Sequence, residues 1–407
     1  MVYIFERLKN SYGGSSTKPN EMKEPGTLSR RSFLALSASA AGAIVTRGNI
    51  AGLQSKANDV SDKLKKLIPG IMGEFGCPGL SVAVFEEGEI RWAEGFGVKS
   101  VKAKEPVGAD TVFEAASLSK PLFATIVLKL AEEQIIDLDA PLGEYFRYPD
   151  LRNEPQVDLI TPRIVLSHST GLQNWRPPRN PLKIQFTPGT QFSYSGEAYV
   201  RLQRAVEKIT GESLTNLSRA YVFDALHMNH SSYVWKDEYE QIAAEGHNST
   251  GEIVRTRLWK YSPDSTRGSN DSPKEDIPLF AVPNAAASLF STAQEYAHFV
   301  MSLINSDERL KFSETLLKLM VTPRTKLNDE ISWGLGWGIC RVEEELNIWH
   351  WGNNGVYQSF VSAVPESRSG IVVLTNSANG LKVCKNVVEG VLRAEHPAFK
   401  WSMVLKA

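Results

Sequence analysis

Three cysteines in 407 residues (Cys77, Cys340 and Cys384) cannot all pair, and none stands in a Cys-x-x-Cys arrangement. A disulfide scaffold is therefore not expected; buried small side chains are. An excess of one charge is lacking too. With 45 Lys and Arg against 46 Asp and Glu, no global field draws in nucleic acid or an anionic membrane. Histidines number only seven, and His227-Met228-Asn229-His230 is the one close pair. It comes without the glutamate and third ligand of a zinc protease, so no metal is expected. Gly-x-Ser-x-Gly is absent, which argues against an α/β-hydrolase. The length leaves room for about two or three folding units.

The N-terminus reads as a targeting segment. Ser29-Arg30-Arg31-Ser32-Phe33-Leu34 is a twin-arginine pattern leading into a moderately apolar run from Phe33 to Val45. That run is shorter than the ~20 residues a membrane span needs. Residues 1–57 are thus expected to be a twin-arginine signal peptide and linker, with Met22 as an alternative start, directing a folded protein to the periplasm or outside the cell. A chance Arg-Arg before an alanine-rich helix is the alternative.

From Val60 the apolar positions Val60, Leu64, Leu67, Ile68, Ile71, Met72 and Phe75 keep helical spacing, and Cys77-Pro78-Gly79 is expected to stop the helix. Leu80, Val82 and Val84 alternate, Glu86 to Glu89 turn, and Ile90 and Trp92 alternate back as a hairpin. Residues 137–290 carry helical patterns (Ile164 to Leu166, Ala198 to Ile209, Leu214 to Phe223) and a polar loop over 236–280. Thr292-Ala293-Gln294-Glu295 is a capping box for a helix to about Asn305. Strand signals return at Trp333 to Cys340, Ile348 to His350, Gln358 to Val364 and Ile371 to Thr375, before a closing helix through Val383 and Leu392. Strands at both ends with helices between predict an α/β (α+β) fold. One sheet domain is expected from the two termini (58–115 and 325–400), with a mostly helical insertion (116–324).

Chemistry is concentrated at Phe113-Glu114-Ala115-Ala116-Ser117-Leu118-Ser119-Lys120-Pro121-Leu122, where an extended segment turns into a strongly apolar helix. Helical positions three apart share a face, roughly 5–6 Å apart at Cβ, so Lys120 can reach the Ser117 hydroxyl. The apolar run beneath would desolvate the ammonium, and the positive end of the helix dipole also favours the neutral amine. A neutral lysine beside a serine is a base next to a nucleophile. The spacing alone is cheap. Ser15-Ser16-Thr17-Lys18 repeats it in a polar stretch, and an N-cap serine followed by a solvated lysine satisfies it equally well.

Further segments in order carry a resemblance. Ile164-Val165-Leu166-Ser167-His168-Ser169-Thr170-Gly171-Leu172, Thr187-Pro188-Gly189-Thr190-Gln191-Phe192-Ser193-Tyr194-Ser195-Gly196 and His350-Trp351-Gly352 follow the Ser-x-x-Lys stretch. Together they resemble the serine β-lactamase and penicillin-binding superfamily, most closely its class C β-lactamase-like members, over about Ile68 to Leu392. The resemblance implies a β-lactamase/transpeptidase-like fold, an antiparallel sheet flanked by helices, and an acyl-enzyme on Ser117, with Lys120 and Tyr194 sharing proton transfer. A nearby ammonium would favour a Tyr194 phenolate. It also implies an oxyanion site from the backbone N–H groups of Ser117 and Asn353, and substrate contacts from His350, Trp351 and Gly352. His168 is expected to fix a loop rather than act as a base. Trp175, Trp333 and Trp351 are candidates for an apolar acyl pocket, each equally suited to plain core. No cofactor is implied, because side chains and water suffice.

Two departures bear on substrate. Gly196 stands where β-lactamases have an asparagine that holds an acylamino side chain, and His350-Trp351 stand where they have a lysine and threonine that recognise a carboxylate. Asn284-Ala285-Ala286-Ala287-Ser288-Leu289 lacks the paired glycines of many relatives. An exported hydrolase cleaving an uncharged ester or amide fits best. A D-amino-acid peptidase, carboxypeptidase or β-lactamase is the alternative, and a non-catalytic penicillin-binding-like sensor of cell-wall peptides is the rival from another class.

Overall fold

A computed structural model describes residues 48–146, 149–151, 153–176, 180–256, 258 and 282–405. The twin-arginine segment and residues 257 and 259–280 of the expected polar loop lie outside them. Chain packing separates Met1–Ile50 from Ala51–Ala407, and the second unit carries the fold.

Helix α1 (Gly48–Phe75) runs through the expected boundary at residue 57. Its Leu64, Ile68, Ile71 and Met72 are buried, as their spacing requires. The helix ends one residue before the expected stop, at Gly76. A φ of +61° there lets Cys77 N donate to Met72 O at 2.9 Å. Strands β1 (Gly79–Glu86) and β2 (Glu89–Gly97) form the expected hairpin. Both turn residues, Glu87 and Gly88, have positive φ, matching the twist of the strands.

Next come β3 (Phe113–Ala116), α2 (Ser119–Glu132), α3 (Pro162–Leu166), α4 (Gly196–Thr210), α5 (Leu214–Ser218), β4 (Leu289–Ser291), α6 (Ala293–Ile304) and α7 (Glu314–Val321). The C-terminal part adds β5 (Thr325–Lys326), β6 (Ser332–Trp333), β7 (Gly338–Val342), β8 (Glu345–Asn353), β9 (Gln358–Val364), β10 (Ser369–Thr375) and α8 (Gly380–Leu392). The stretch expected as one strand from Trp333 to Cys340 is instead a tight hairpin. Gly336 adopts a φ of +89° and Gly334 N donates to Trp337 O, which splits β6 from β7.

The main sheet has eight strands in the order β2-β1-β10-β9-β8-β7-β6-β5, all neighbours antiparallel. It is thus assembled from both ends of the unit, as expected. On one face, Leu80, Val82, Val84, Ile371 and Val373 pack against α1 and α8. On the other, Ala83, Phe85, Val372 and Leu374 join the larger core with α2, α4 and α6. Strand β3 stays out of the main sheet and pairs with β4, which is distant in sequence. Thr292 caps α6 by accepting from Glu295 N at 3.0 Å. The Glu295 carboxylate turns instead to His230 N and the Ser231 hydroxyl, so only half of the expected capping box forms. No helix among the described residues is long and apolar enough to cross a membrane.

Candidate active site

Ser117 sits between β3 and α2. Ala116, just before it, has a φ of +52°, a left-handed conformation that costs a non-glycine residue roughly 1–2 kcal/mol. A register shift between Glu114 and Ala116 marks the same bend. Leu118, not Ser117, occupies the N-cap of α2. Lys120 is fully buried rather than solvated, so the plain capping alternative does not describe this segment.

Lys120 Nζ lies 3.1 Å from Ser117 Oγ and donates to Ala286 O at 2.8 Å. It stands 4.7 Å from the centre of the Tyr194 ring. Burial alone holds its pKa well below the usual lysine range. The Tyr194 hydroxyl is buried and makes no well-formed hydrogen bond. Burial raises its pKa, and the Ser117 hydroxyl draws it only partly back. The expected phenolate is therefore not what this environment favours. Both groups are desolvated, so a neutral amine beside a neutral phenol is the stable pairing.

His168 has a left-handed φ of +53°, and its Nδ1 accepts from Ser195 N at 3.1 Å. It thereby fixes the loop that carries Tyr194, whose ring lies 4.3 Å away. Nδ1 being the acceptor, the ring proton is on Nε2. In His350 the tautomer is reversed, since Nδ1 faces the Trp351 carbonyl at 2.7 Å and must donate. Burial, the largest cause, keeps both imidazoles well below the ordinary histidine range, hence neutral.

The residues expected to contact substrate separate into two groups. A cleft of about 310 Å³ is lined by Ser117, Trp175, Thr256, Asn284, Asn353 and Asn354, with Glu114 beside them. His350 and Trp351 are not among its described walls. His350 is wholly buried, and Trp351 is packed on Tyr194 at 4.7 Å and on Trp401 at 5.1 Å. Trp333 is likewise core. Gly352 is needed for close approach: a Cβ there would lie 2.4 Å from Ala115 O and 2.2 Å from Ser359 Oγ. Its bareness seats β8 against the strand that delivers Ser117.

Asn354 N donates to Tyr357 O at 3.0 Å. Asn353, one residue earlier and opposite Gln358, therefore belongs to a non-hydrogen-bonded pair, and its N–H points away from β9. On that side β7 ends opposite Trp349, so the N–H leaves the sheet at an open edge beside the cleft.

Glu114, three residues before the serine, also belongs to the site. It is buried, accepts from Thr256 Oγ1, and accepts from Asn354 Nδ2 at 2.9 Å. Asn354 Nδ2 also donates to Ala287 O. The carboxylate thus ties the catalytic strand to the β8–β9 turn and to the Ala286–Ala287 segment that meets Lys120. An acidic side chain inside an apolar strand is the signal that marks it.

The chain belongs to the beta-lactamase family, whose model matches residues 64–386. It is 21% identical over 347 residues to protein flp of Staphylococcus aureus (strain N315), covering 78% of this chain and 64% of that protein. It is 23% identical over 346 residues to the unguisins hydrolase ungD of Aspergillus violaceofuscus, covering 74% and 58%. The chain thus spans less than two thirds of the length of these relatives. Among solved structures, the penicillin-binding protein homologue from Pyrococcus abyssi superposes with a TM-score of 0.68 at 23% identity, over 84% of this chain and 80% of that one. A class C beta-lactamase in complex with cefoxitin superposes with a TM-score of 0.69 at 21% identity, over 83% and 99%. The fold is that of the β-lactamases and transpeptidases.

Proposed function

We propose that this chain is an exported serine hydrolase that cleaves an uncharged ester through an acyl-enzyme on Ser117. The observation that carries the reading is a buried Lys120 amine, with no carboxylate partner among the described residues, 3.1 Å from Ser117 Oγ at the edge of an open cleft. Ser117 Oγ attacks the carbonyl carbon as its proton passes to the neutral Lys120 amine, directly or through the Tyr194 hydroxyl. The N–H groups of Ser117 and Asn353 take the developing oxyanion. The ammonium then protonates the leaving alcohol, and water repeats the sequence on the acyl-enzyme.

Uncharged substrates are favoured because no lysine, arginine or histidine is among the described residues lining the cleft, whereas the carboxyl of Glu114 is. A β-lactam or a peptide ending in D-alanine would bring its own carboxylate to a cleft whose described lining residues include no cation. Peptide hydrolysis is the second reading, supported by the open edge of β8 at Asn353, where an extended chain can add as a strand. Export is supported by Arg30-Arg31 and the apolar run behind them.

The test uses a fluorophosphonate probe, a short-chain nitrophenyl ester and a chromogenic cephalosporin. Probe labelling and ester turnover are expected, with cephalosporin slower. Ser117→Ala should abolish labelling and cut turnover by about 10⁴-fold or more. A folded protein that neither labels nor turns over ester would instead be a binding or sensor protein.

A further inference from the structure

The part of the cleft lined by Trp175 is marked by a side chain it leaves out. Gly196 opens α4 two residues after Tyr194, and a Cβ built on it would fall 2.2 Å from Trp175 Cζ2, 2.5 Å from Cη2 and 2.6 Å from Cε2. The indole lies flat in the space that any side chain at 196 would occupy. Its position is held from both sides. Asn174 Oδ1 accepts from Gly196 N and Asn174 O from Glu197 N, each at 2.9 Å. Arg176 N donates to Glu197 Oε1 at 3.1 Å, and Gln173 O accepts from Ser195 Oγ at 2.8 Å. Trp175 is half-buried, with its remaining surface lining the cleft that contains Ser117.

We propose that Trp175, laid over Gly196, is the specificity-determining residue of this cleft and selects acyl groups that are apolar next to the reacting carbonyl. The inference rests on the acyl-enzyme reading of Ser117 and names the substrate class for it. On this side an acyl chain meets an aromatic face and a bare backbone. An apolar chain gains contact there. A polar amide laid against the indole face loses water there, and that face offers it no hydrogen-bonding group in return.

The experiment compares kcat/KM for p-nitrophenyl pentanoate and p-nitrophenyl N-acetylglycinate, acyl groups of equal chain length with and without an amide. The wild type should prefer the pentanoate. Trp175→Ala should reduce that preference by about tenfold, the scale of discrimination that one or two methylenes of pocket contact supply. Trp175→Phe keeps an aromatic wall and should stay within about threefold of the wild-type preference. Gly196→Asn alone should disturb the fold by driving its Cβ into the indole. Combined with Trp175→Ala it should fold and shift the preference further toward the N-acetylglycinate. Persisting Ser117-dependent turnover with an unchanged preference in Trp175→Ala overturns the inference alone, as does a Phe variant that behaves like the alanine one. No Ser117-dependent turnover of either ester overturns the hydrolase reading itself, and the inference falls with it.

Discussion

Burying a lysine with no carboxylate beside it costs stability, and at Lys120 that cost and the proposed chemistry have one origin. Its side chain is wholly enclosed, and desolvation depresses its pKa well below the ordinary value of about 10.4. Between the depressed value and ~10.4 the unfolded chain binds a proton that the folded chain does not. Stability contributed by this group therefore rises with pH across that window. Lys120→Met removes the penalty but leaves Ala286 O without its donor. The methionine variant is expected to be more stable than wild type at pH 7 in urea titrations, with the gain shrinking toward pH 10. Its ester turnover should fall by about 10²–10⁴-fold, the usual contribution of a positioned base. In the wild type, activity should decline as pH drops through the depressed value and the amine takes up a proton. A methionine variant less stable than wild type at pH 7, or a stability difference that ignores pH, would count against the neutral-lysine assignment. The pairing itself was readable, because two helical residues three apart share a face and the run below is apolar. The neutral state of Tyr194 was not, because it depends on how completely the fold encloses both the phenol and Lys120, which spacing does not show.

Among the elements, the site depends on how β3 is seated against β8. Ala116 holds a left-handed φ, and Gly352 leaves no side chain between β8 and the Ala115 carbonyl. The two positions respond to substitution in opposite directions. Ala116→Gly relieves the backbone while adding freedom to the unfolded chain, for a net gain of roughly 0.5–1 kcal/mol. Gly352→Ala forces a methyl to 2.4 Å from Ala115 O and should cost about 1–3 kcal/mol, with loss of turnover as Ser117 is displaced. Denaturant midpoints on the two variants read both signs, and a glycine at 116 that destabilises would show that its methyl contacts outweigh the strain. The β1–β2 hairpin was legible because alternation and a turn sit side by side. Two other features had no such signal. Leu289 to Ser291 is too short to show a period, so its pairing with Phe113 to Ala116 cannot be seen locally. For β8, alternation separates His350 from Trp351 but says nothing of the layer that covers each, and both proved to be packed behind Tyr194 instead of facing the cleft.

At the scale of the molecule, the sheet closes only when the first strands meet the last, since β1 lies between β2 and β10. Strand signals at the two ends made that architecture legible, while the strand order was not, because long-range pairing leaves no local trace. One consequence concerns the cysteines. Cys77 follows α1, Cys340 is on β7 and Cys384 is on α8, yet all three are buried in the same layer between the sheet and the outer helices. Burial pushes the Cys77 and Cys340 thiols up to about 12 and raises Cys384 as well. At pH 8 a thiol near 12 is only about one part in 10⁴ ionised, and the thiolate is the reactive form. That layer joins the first strands to the closing helix, so no one cysteine can be exposed without opening contacts to both ends of the unit. Iodoacetamide labelling followed by mass spectrometry should therefore find all three inert in native buffer. In increasing denaturant they should become reactive together, at the midpoint of global unfolding. Rapid native labelling of any one, or a separate midpoint for Cys384, would mean that α8 opens by itself and that the two ends are less tightly joined than the sheet order implies.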